Sequence, residues 1–326
     1  MTVLRSRGTT LKTFSILLWS VAAAMSIAFV LAASTLAAEV HQKTFDSPAA
    51  AVDALILANR GNQIGELLDI LGPQSAKLIH SGDPVADKAA RARFVASYDA
   101  AHGLEFEGED KALLVVGKDE WPLPIPIIRL RARWHFDTKA GEEEILNRRI
   151  GRNELTVIAV CRSIVAAQRD YAAKKLGPGG TAEYAQHFIS KTGTRDGLYW
   201  PIKEGEEESP LGPLIAQARA AGYRPGTPHL EPRPYYGYYF RILMGQGPAA
   251  SGGTKHYVVN GHMTGGFALI AYPAKYGDSG VMTFLVNQDG IVYERNLGAR
   301  TNNVSAGITQ YNPDATWQVS RENINR

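Results

Sequence analysis

The sequence predicts an α+β protein, with N-terminal helices followed by an antiparallel sheet, a long central helix and a C-terminal antiparallel β-meander. Three patterns indicate this class. Apolar residues recur at helical spacing up to about residue 100, they alternate between residues 111 and 137, and short aromatic and β-branched runs follow residue 235. The chain has 326 residues, of which 45% are apolar and 21% charged, so it is globular in composition and long enough for about two domains.

The first 37 residues have the features of a secretory signal peptide. Arg5, Arg7 and Lys12 precede residues 14–33, a run of 20 residues without a charge, and small residues follow before the first acid. We expect cleavage after Ala37 and a mature chain in the periplasm or outside the cell. The alternative is an inner-membrane anchor formed by residues 14–33, because about 20 apolar residues suffice to cross a bilayer.

Charge and cysteine content narrow the functional classes. Of the 35 Lys and Arg residues, 3 lie in the leader, which leaves 32 bases against 32 Asp and Glu residues. Nucleic acid is therefore not an expected partner, since its binding rests on an excess of clustered Lys and Arg. Cys161 is the single cysteine, so the chain forms no internal disulfide. It lies among apolar residues at helical spacing, and we expect it to be buried.

Local signals predict three helices and a strand in an N-terminal α+β domain, residues 38–137. Asp46-Ser47-Pro48 indicates a helix start, because Pro is favoured in the first turn. A second short helix is expected over residues 61–71. A third follows Asp83-Pro84 and runs to a stop near Gly103, and residues 111–117 predict a strand.

Residues 127–137 alternate almost strictly between apolar and polar, which predicts one further strand. Its polar face would present a row of guanidiniums suited to carboxylate or phosphate groups. The candidate residues on this face are Arg129, Arg131, Arg133, His135 and Asp137. The alternative is a solvated face that acids such as residues 142–144 neutralise.

A long central helix is expected within residues 138–180. It follows a turn at residues 138–141, begins at Glu142, passes Cys161 and breaks at residues 177–180, which read Gly-Pro-Gly-Gly. The acids in its first turn suit the helix dipole.

Three arginines of this helix are also candidate ligand-binding residues. They are Arg148, Arg149 and Arg152. We expect a carboxylate of the same domain to hold at least one of them, with Asp137 and Glu154 as the expected partners. Glu144 and Arg148 form a favourable i, i+4 pair. Binding of an anionic envelope ligand is the alternative role.

The rest of the chain divides into an ordered Gly- and Pro-rich connector, residues 181–234, and an antiparallel β domain, residues 235–326. One helix is expected in the connector, at residues 213–221. The strands of the β domain are expected at residues 238–244, 256–260, 267–272, 282–286 and 291–294. Residues 287–290, Asn-Gln-Asp-Gly, predict a hairpin turn.

Aromatic residues near the connector form a candidate ligand groove, since aromatics with polar tips are frequent at binding sites. The cluster contains Tyr199, Trp200, Tyr235, Tyr236, Tyr238 and Tyr239, of which Tyr199, Trp200, Tyr236 and Tyr238 are the candidate site residues. Packing in the core and the sheet is the alternative explanation.

Eight segments in order carry a family resemblance. They are WPLPIP (121–126), WHFD (134–137), EEIL (143–146), RRIGRNE (148–154), DGLYWP (196–201), SPLGP (209–213), GYYFRIL (237–243) and YGDSGVMTF (276–284). Through them the chain resembles the bacterial exported family of domain of unknown function 2950, over residues 45–320. The resemblance implies an exported envelope protein without an established activity, and it supplies no catalytic residues.

The two halves resemble known folds separately. The N-terminal helices and strands, with residues 134–137 near their end, are similar to the cone-shaped fold of ketosteroid isomerase and nuclear transport factor 2. The C-terminal runs at residues 237–240, 266–271, 280–286 and 289–292 look like the antiparallel sheet of pilin-like domains.

Known catalytic motifs are incomplete in this chain. Gly277-Asp278-Ser279-Gly280 continues with Val281, and no base histidine in a suitable segment accompanies it. Lys191-Thr192-Gly193 lacks the partner motifs of penicillin-binding proteins. The eight histidines are scattered, so we expect no metal and no cofactor.

The sequence therefore favours a non-catalytic binding or assembly module in the periplasm, whose partner is another envelope protein or cell-envelope component. The alternative is an enzyme or small-ligand binder that uses a pocket in the N-terminal α+β domain. Such pockets raise the pKa of a buried carboxylate, and Asp137 beside His135 would be the catalytic base.

Overall fold

The first helix of the described chain begins where the local signals indicate, and the second begins three residues later than predicted. The computed structural model describes residues 42–224 and 233–320, so the predicted leader, including residues 14–33, lies outside it. Helix α1 is Pro48–Arg60, and its N-cap Ser47 accepts a hydrogen bond of 3.1 Å from the Ala50 N–H. Helix α2 is Ile64–Leu71, and the short helix α3 is Ala76–Ile79.

Helix α4, Pro84–Ala100, begins at the N-cap Asp83, as the sequence predicts. The Oδ1 atom of Asp83 accepts the N–H groups of Val85 and Ala86 at 3.1 and 3.0 Å. The helix ends at Ala100, close to the predicted stop near Gly103. Gly103 itself lies inside a strand, because the chain turns directly from α4 into the sheet.

Strands β1 to β5 form the N-terminal sheet, in the order β1-β2-β4-β5 with β3 also paired to β2. They are β1 His102–Phe106, β2 Lys111–Val116, β3 Trp121–Pro122, β4 Ile127–Leu130 and β5 Arg133–Phe136. The pairings are antiparallel. Helices α1 and α2 bury their apolar faces on this sheet, around Leu55, Leu67 and Phe136.

The prediction of one strand over residues 127–137 is wrong, since the chain folds into the β4–β5 hairpin. Leu130 pairs with Arg133, and Arg131 lies at the turn with φ +59°. Two-residue hairpin turns need positive φ at a central position, which Gly, Asn and Asp usually supply. Arg-Ala lacks that signal, so the apolar and polar alternation on both sides looked like a single strand.

Helix α5, Thr138–Ala173, is the predicted long central helix, but it begins one turn earlier than expected. Residues 138–141 form its first turn, and Asp137 is its N-cap, with Oδ1 accepting the Ala140 N–H at 3.3 Å. Gly141 permits this start. A Cβ at Gly141 would lie 2.6 Å from the Ile125 nitrogen and closer still to the Pro124 carbonyl.

The C-terminal half of α5 covers the C-terminal sheet. This sheet has the strand order β14-β13-β12-β11-β8, and its pairings are antiparallel. Its strands are β8 Tyr238–Leu243, β11 Ala268–Pro273, β12 Met282–Asn287, β13 Tyr293–Asn296 and β14 Gln318–Val319. The predicted stripe on α5 is buried here, and Cys161 is fully buried, as expected.

Smaller elements complete the described chain. They are the parallel pair β6 His187–Ile189 and β7 Gly197–Tyr199, helix α6 Gly212–Ala220, the pair β9 Gly245–Gln246 and β10 Lys255–His256, and helix α7 Thr301–Gly307. Within residues 42–224 and 233–320, no helix combines the length and the apolar composition that crossing a membrane requires. The α+β class with a long central helix and antiparallel sheets is confirmed.

Candidate functional site

A cavity of about 520 Å³ lies between α4 and α5, and we call it the α4–α5 cavity. Residues of α4 and α5 line it, together with residues of α1 and α2. Its walls are largely apolar, with Leu55, Leu67, Leu78, Phe94, Ile125 and Ile145 among the lining side chains. Tyr223 and Tyr236 contribute from the C-terminal half.

Helical periodicity explains why this space is open. The residues that α4 turns toward the cavity include Ala86, Ala89, Ala90 and Arg93, which recur at i, i+3, i+4 and i+7. Alanine side chains are too short to fill the gap between two helices. Helix α5 contributes Ile145, Arg148, Arg149 and Arg152 at the same spacing.

Arg149 is the most enclosed of the arginines at the cavity. Its two Nη atoms donate to the carbonyl oxygens of Lys77, at 2.8 Å, and Leu78. These are carbonyls of the last turn of α3, which have no partner within the helix. Burial lowers the pKa of Arg149, and the negative charge of Asp87 opposes this effect. Arg149 is therefore a cap that joins α3 to α5.

Arg148 confirms the prediction that a carboxylate holds at least one arginine of α5. Its Nε donates to Glu144 Oε1 at 2.6 Å, which is the i, i+4 pair of the sequence, and its guanidinium lies 4.9 Å from the ring centroid of Trp121. The prediction that Asp137 and Glu154 are the partners is wrong. Asp137 caps α5, and Glu154 points to the other side of the helix.

The carboxylate of Glu154 holds the C-terminal sheet against α5. Its Oε1 accepts the N–H groups of Val281 and Met282, each at 2.9 Å, and the Tyr238 hydroxyl at 3.4 Å. Arg152 and Glu154 are two residues apart, or about 200° around a helix, so they face opposite directions.

Arg93 and Arg152 carry two further guanidiniums of the cavity, and they lie near each other at its rim. Among the described residues neither of them makes an ion pair. Partial burial of its guanidinium lowers the pKa of Arg152, and the positive charge of Arg93 lowers it further. Arg91 also lines the cavity, but its Nε donates to Asn62 Oδ1 at 2.9 Å and its Nη1 to the Ile79 carbonyl at 3.3 Å.

The predicted cationic face at residues 129–137 does not form, because the hairpin divides it. Arg129 stands opposite Trp134 and therefore on the face opposite to that of Arg133. Arg129 pairs with Asp110 at 2.6 Å, whereas Arg133 pairs with Asp46. Arg131 is at the turn, His135 is half-buried in β5, and Asp137 is the cap of α5.

The predicted aromatic cluster is also divided. Tyr236 lines the α4–α5 cavity and its ring contacts those of Tyr223 and Tyr235. Tyr238 and Trp200 are buried in the C-terminal core, which agrees with the packing alternative. The Tyr199 hydroxyl accepts a hydrogen bond of 2.9 Å from Arg219.

Sequence reasoning missed two parts of this region. Arg93 is an exposed arginine of α4, and only its position in the row of alanines could have singled it out. Asp83 was recognised only as part of a helix start. Its second oxygen, Oδ2, accepts the Tyr223 hydroxyl at 2.8 Å and the Gly237 N–H at 2.9 Å. No local pattern indicates those distant partners.

The other sequence features considered for catalysis or metal binding do not form a site in the described residues. Ser279 is fully buried, and its hydroxyl bonds to the backbone of Lys275, so the Gly-Asp-Ser-Gly segment is a turn. Within the described ranges, no group of three or more His, Cys, Asp or Glu side chains is arranged to hold a metal ion. A second cavity, of about 780 Å³, borders Arg224 and Arg233, on either side of residues 225–232, which the structure does not describe.

The comparisons with known proteins concern the family alone. A family model described as "Protein of unknown function (DUF2950)" matches residues 42–320. No curated protein matches the chain. No solved structure matches it either, so the cone-shaped and pilin-like analogies stay predictions. Because the family model covers most of the sequence and all of the sites described above, the chain belongs to the DUF2950 family of proteins of unknown function.

Proposed function

We propose that this protein is a non-catalytic binding protein of the bacterial cell envelope, and that it holds a small apolar molecule in the α4–α5 cavity. The observation that carries the proposal is the cavity, which measures about 520 Å³ and has mainly aliphatic walls. Small-molecule sites in proteins span roughly 300–1,000 Å³ and are predominantly apolar. The cavity favours a small molecule over an envelope protein as the partner.

The positions of the carboxylates favour binding over catalysis. Asp137, the predicted base, caps α5 and does not line the cavity. Asp87 is the one carboxylate among the described lining residues, and it is buried and accepts the Ser81 N–H at 3.0 Å. A general base must lie within hydrogen-bond reach of the substrate proton; Asp137 does not face the cavity, and Oδ2 of Asp87 is already held by a backbone donor.

The cellular location in this proposal rests on the sequence of residues 1–37. We expect the protein in the periplasmic fraction, with a mature N-terminus near Ala38. Fractionation followed by N-terminal sequencing tests this. An intact leader in the membrane fraction would support the anchored alternative, and a cytoplasmic protein would reject export.

Displacement of a neutral fluorescent probe tests the binding function. N-phenyl-1-naphthylamine is uncharged, and its fluorescence rises in an apolar site. Ala89→Trp places a large ring in the α4–α5 cavity, because Ala89 lines it. Ala92→Trp is the matched control, since Ala92 lies on the same helix but is exposed and does not line the cavity.

We expect the probe to bind the parent protein and the Ala92→Trp variant equally. Ala89→Trp should weaken binding at least about tenfold, which corresponds to about 1.4 kcal/mol. Circular dichroism shows whether both variants are folded. If the folded Ala89→Trp variant binds the probe as well as the control does, or if the parent binds no probe, the proposed function is wrong.

A further inference from the structure

The charges around the α4–α5 cavity are unbalanced. Five guanidiniums line it, and Asp87 is the one carboxylate among the described lining residues. The five are Arg91, Arg93, Arg148, Arg149 and Arg152. Charged groups beside an apolar ligand lose hydration and gain nothing in return, so an apolar ligand alone does not explain this excess of positive charge.

Three of these arginines already have partners in the protein. Arg91 donates to Asn62 and to the Ile79 carbonyl. Arg148 pairs with Glu144, and Arg149 donates to two carbonyls of α3. Their donors are already used within the protein, so these three arginines are part of the cavity wall and are not free to bind a ligand.

Arg93 and Arg152 differ from the other three. One belongs to α4 and the other to α5, both line the cavity, and neither makes an ion pair among the described residues, while the charge of Arg93 acts on Arg152. Two like charges at one rim repel each other. An anion between them would replace this repulsion with two charge-assisted hydrogen bonds. Guanidinium groups suit the oxygens of a planar carboxylate or a tetrahedral phosphate.

We propose that the molecule in the α4–α5 cavity is an amphipathic anion, with its apolar body among the aliphatic walls and a carboxylate or phosphate monoester between Arg93 and Arg152. This inference rests on the proposed binding function. It assigns the two arginines as specificity determinants, which select a charged head over a neutral one on the same apolar chain.

Competition against N-phenyl-1-naphthylamine distinguishes the contribution of the ligand's head group from that of its alkyl chain. Dodecanoate, dodecyl phosphate and dodecanol share one alkyl chain, and each is used below its critical micelle concentration. Inorganic phosphate tests the head alone. The variants are Arg93→Gln and Arg152→Gln, both at exposed positions. Lys88→Gln is the matched control, because it removes one positive charge from an exposed site on α4 outside the cavity lining.

We expect the two anionic ligands to displace the probe from the parent protein about tenfold more effectively than dodecanol. Each Arg→Gln variant should reduce this preference at least about threefold while dodecanol binding stays unchanged, and Lys88→Gln should leave the preference intact. The preference should also fall with added salt, because the arginines are exposed.

The outcomes distinguish this inference from the function on which it rests. If dodecanol displaces the probe as well as dodecanoate and dodecyl phosphate do, the anionic head is wrong and the apolar binding function stands. If Lys88→Gln reduces the preference as much as the arginine variants, the assignment to Arg93 and Arg152 is overturned. If inorganic phosphate displaces the probe as well as dodecyl phosphate does, the apolar body has no role and the amphipathic ligand is overturned.

Discussion

The buried carboxylate of Asp83 accepts a hydrogen bond of 2.9 Å from the N–H of Gly237, a residue 154 positions later in the chain. The same oxygen accepts the Tyr223 hydroxyl, and the Tyr223 oxygen in turn accepts the Tyr236 N–H at 3.1 Å. Burial raises the pKa of Tyr223, and the negative charge of Asp83 raises it further, so the phenol stays protonated and remains a donor. This group of contacts fixes the start of α4 to the segment that supplies Tyr236 to the cavity.

Asp83→Asn should destabilise the protein. The carboxylate accepts four donors, and an amide would direct N–H groups at some of them, which leaves buried donors unpaired. We expect the free energy of unfolding to fall by about 2–4 kcal/mol in urea titrations. Asp119→Asn, at an exposed position, is the control and should change it little. Equal stability of the two variants would contradict the role of Asp83.

Gly141→Ala and Gly151→Ala should change stability in opposite directions, although both lie on α5. A Cβ at Gly141 would meet the backbone of Pro124 and Ile125, whereas nothing lies within 4 Å of a Cβ at Gly151. We expect a loss of about 1–3 kcal/mol for Gly141→Ala from this overlap. Gly151→Ala should gain up to about 1 kcal/mol from helix propensity. Thermal unfolding measures both, and a Gly141→Ala variant as stable as the parent would disprove the close contact.

Arg149→Gln should cost more stability than Arg148→Gln. Arg149 caps two carbonyls of α3 from a half-buried position, so its removal leaves acceptors without donors. We expect a loss of about 1–3 kcal/mol. Arg148 makes a partly exposed pair with Glu144, and such pairs contribute at most about 1 kcal/mol. Urea titrations compare the variants, and equal losses would show that the cap contributes no more than the surface pair.

Cys161 should make stability depend on pH in the alkaline range. Burial raises the pKa of its thiol to about 12, from an ordinary value of 9.0. Above about pH 9 the unfolded chain releases this proton and the folded chain keeps it, so the unfolded state is favoured as pH rises. The thiol therefore contributes stability below that pH and loses the contribution as pH approaches 12.

The variant Cys161→Ala isolates this effect from that of the buried tyrosines. It should be less stable than the parent at neutral pH, because a buried sulfur is removed. Its stability should fall less steeply above about pH 9, by up to about 1.4 kcal/mol per pH unit. Denaturant titrations from pH 8 to 10 measure the two slopes. Parallel curves for parent and variant would mean that the thiol does not titrate differently in the two states.

Signals that act between near neighbours were sufficient for much of the fold. Ser47 and Asp83 mark their helix starts because an N-cap bonds to donors only two or three residues away. The β4–β5 hairpin was missed because Arg131 adopts a positive φ without a residue that favours it. Glu154 was assigned the wrong partner since its donors, at Val281 and Met282, are more than 120 residues away.

The candidate site was predictable in part for the same reason. Arg148, Arg149, Arg152 and Tyr236 were named from the sequence, and the structure places all four at one cavity. Their grouping with Arg93 depends on how α4 and α5 approach each other, which no spacing along the chain encodes. The prediction of a cationic face at residues 129–137 was wrong because it assumed one continuous strand.

Helix α5 belongs to two hydrophobic cores at once. Ile145 packs against the core under the N-terminal sheet, whereas residues from Val157 to Tyr171 are part of the core under the C-terminal sheet. A helix gains its hydrogen bonds cooperatively, so fraying that starts in one core shortens the helix on which the other core rests. The two halves should therefore melt together. We expect a single calorimetric transition, whose van't Hoff and calorimetric enthalpies agree.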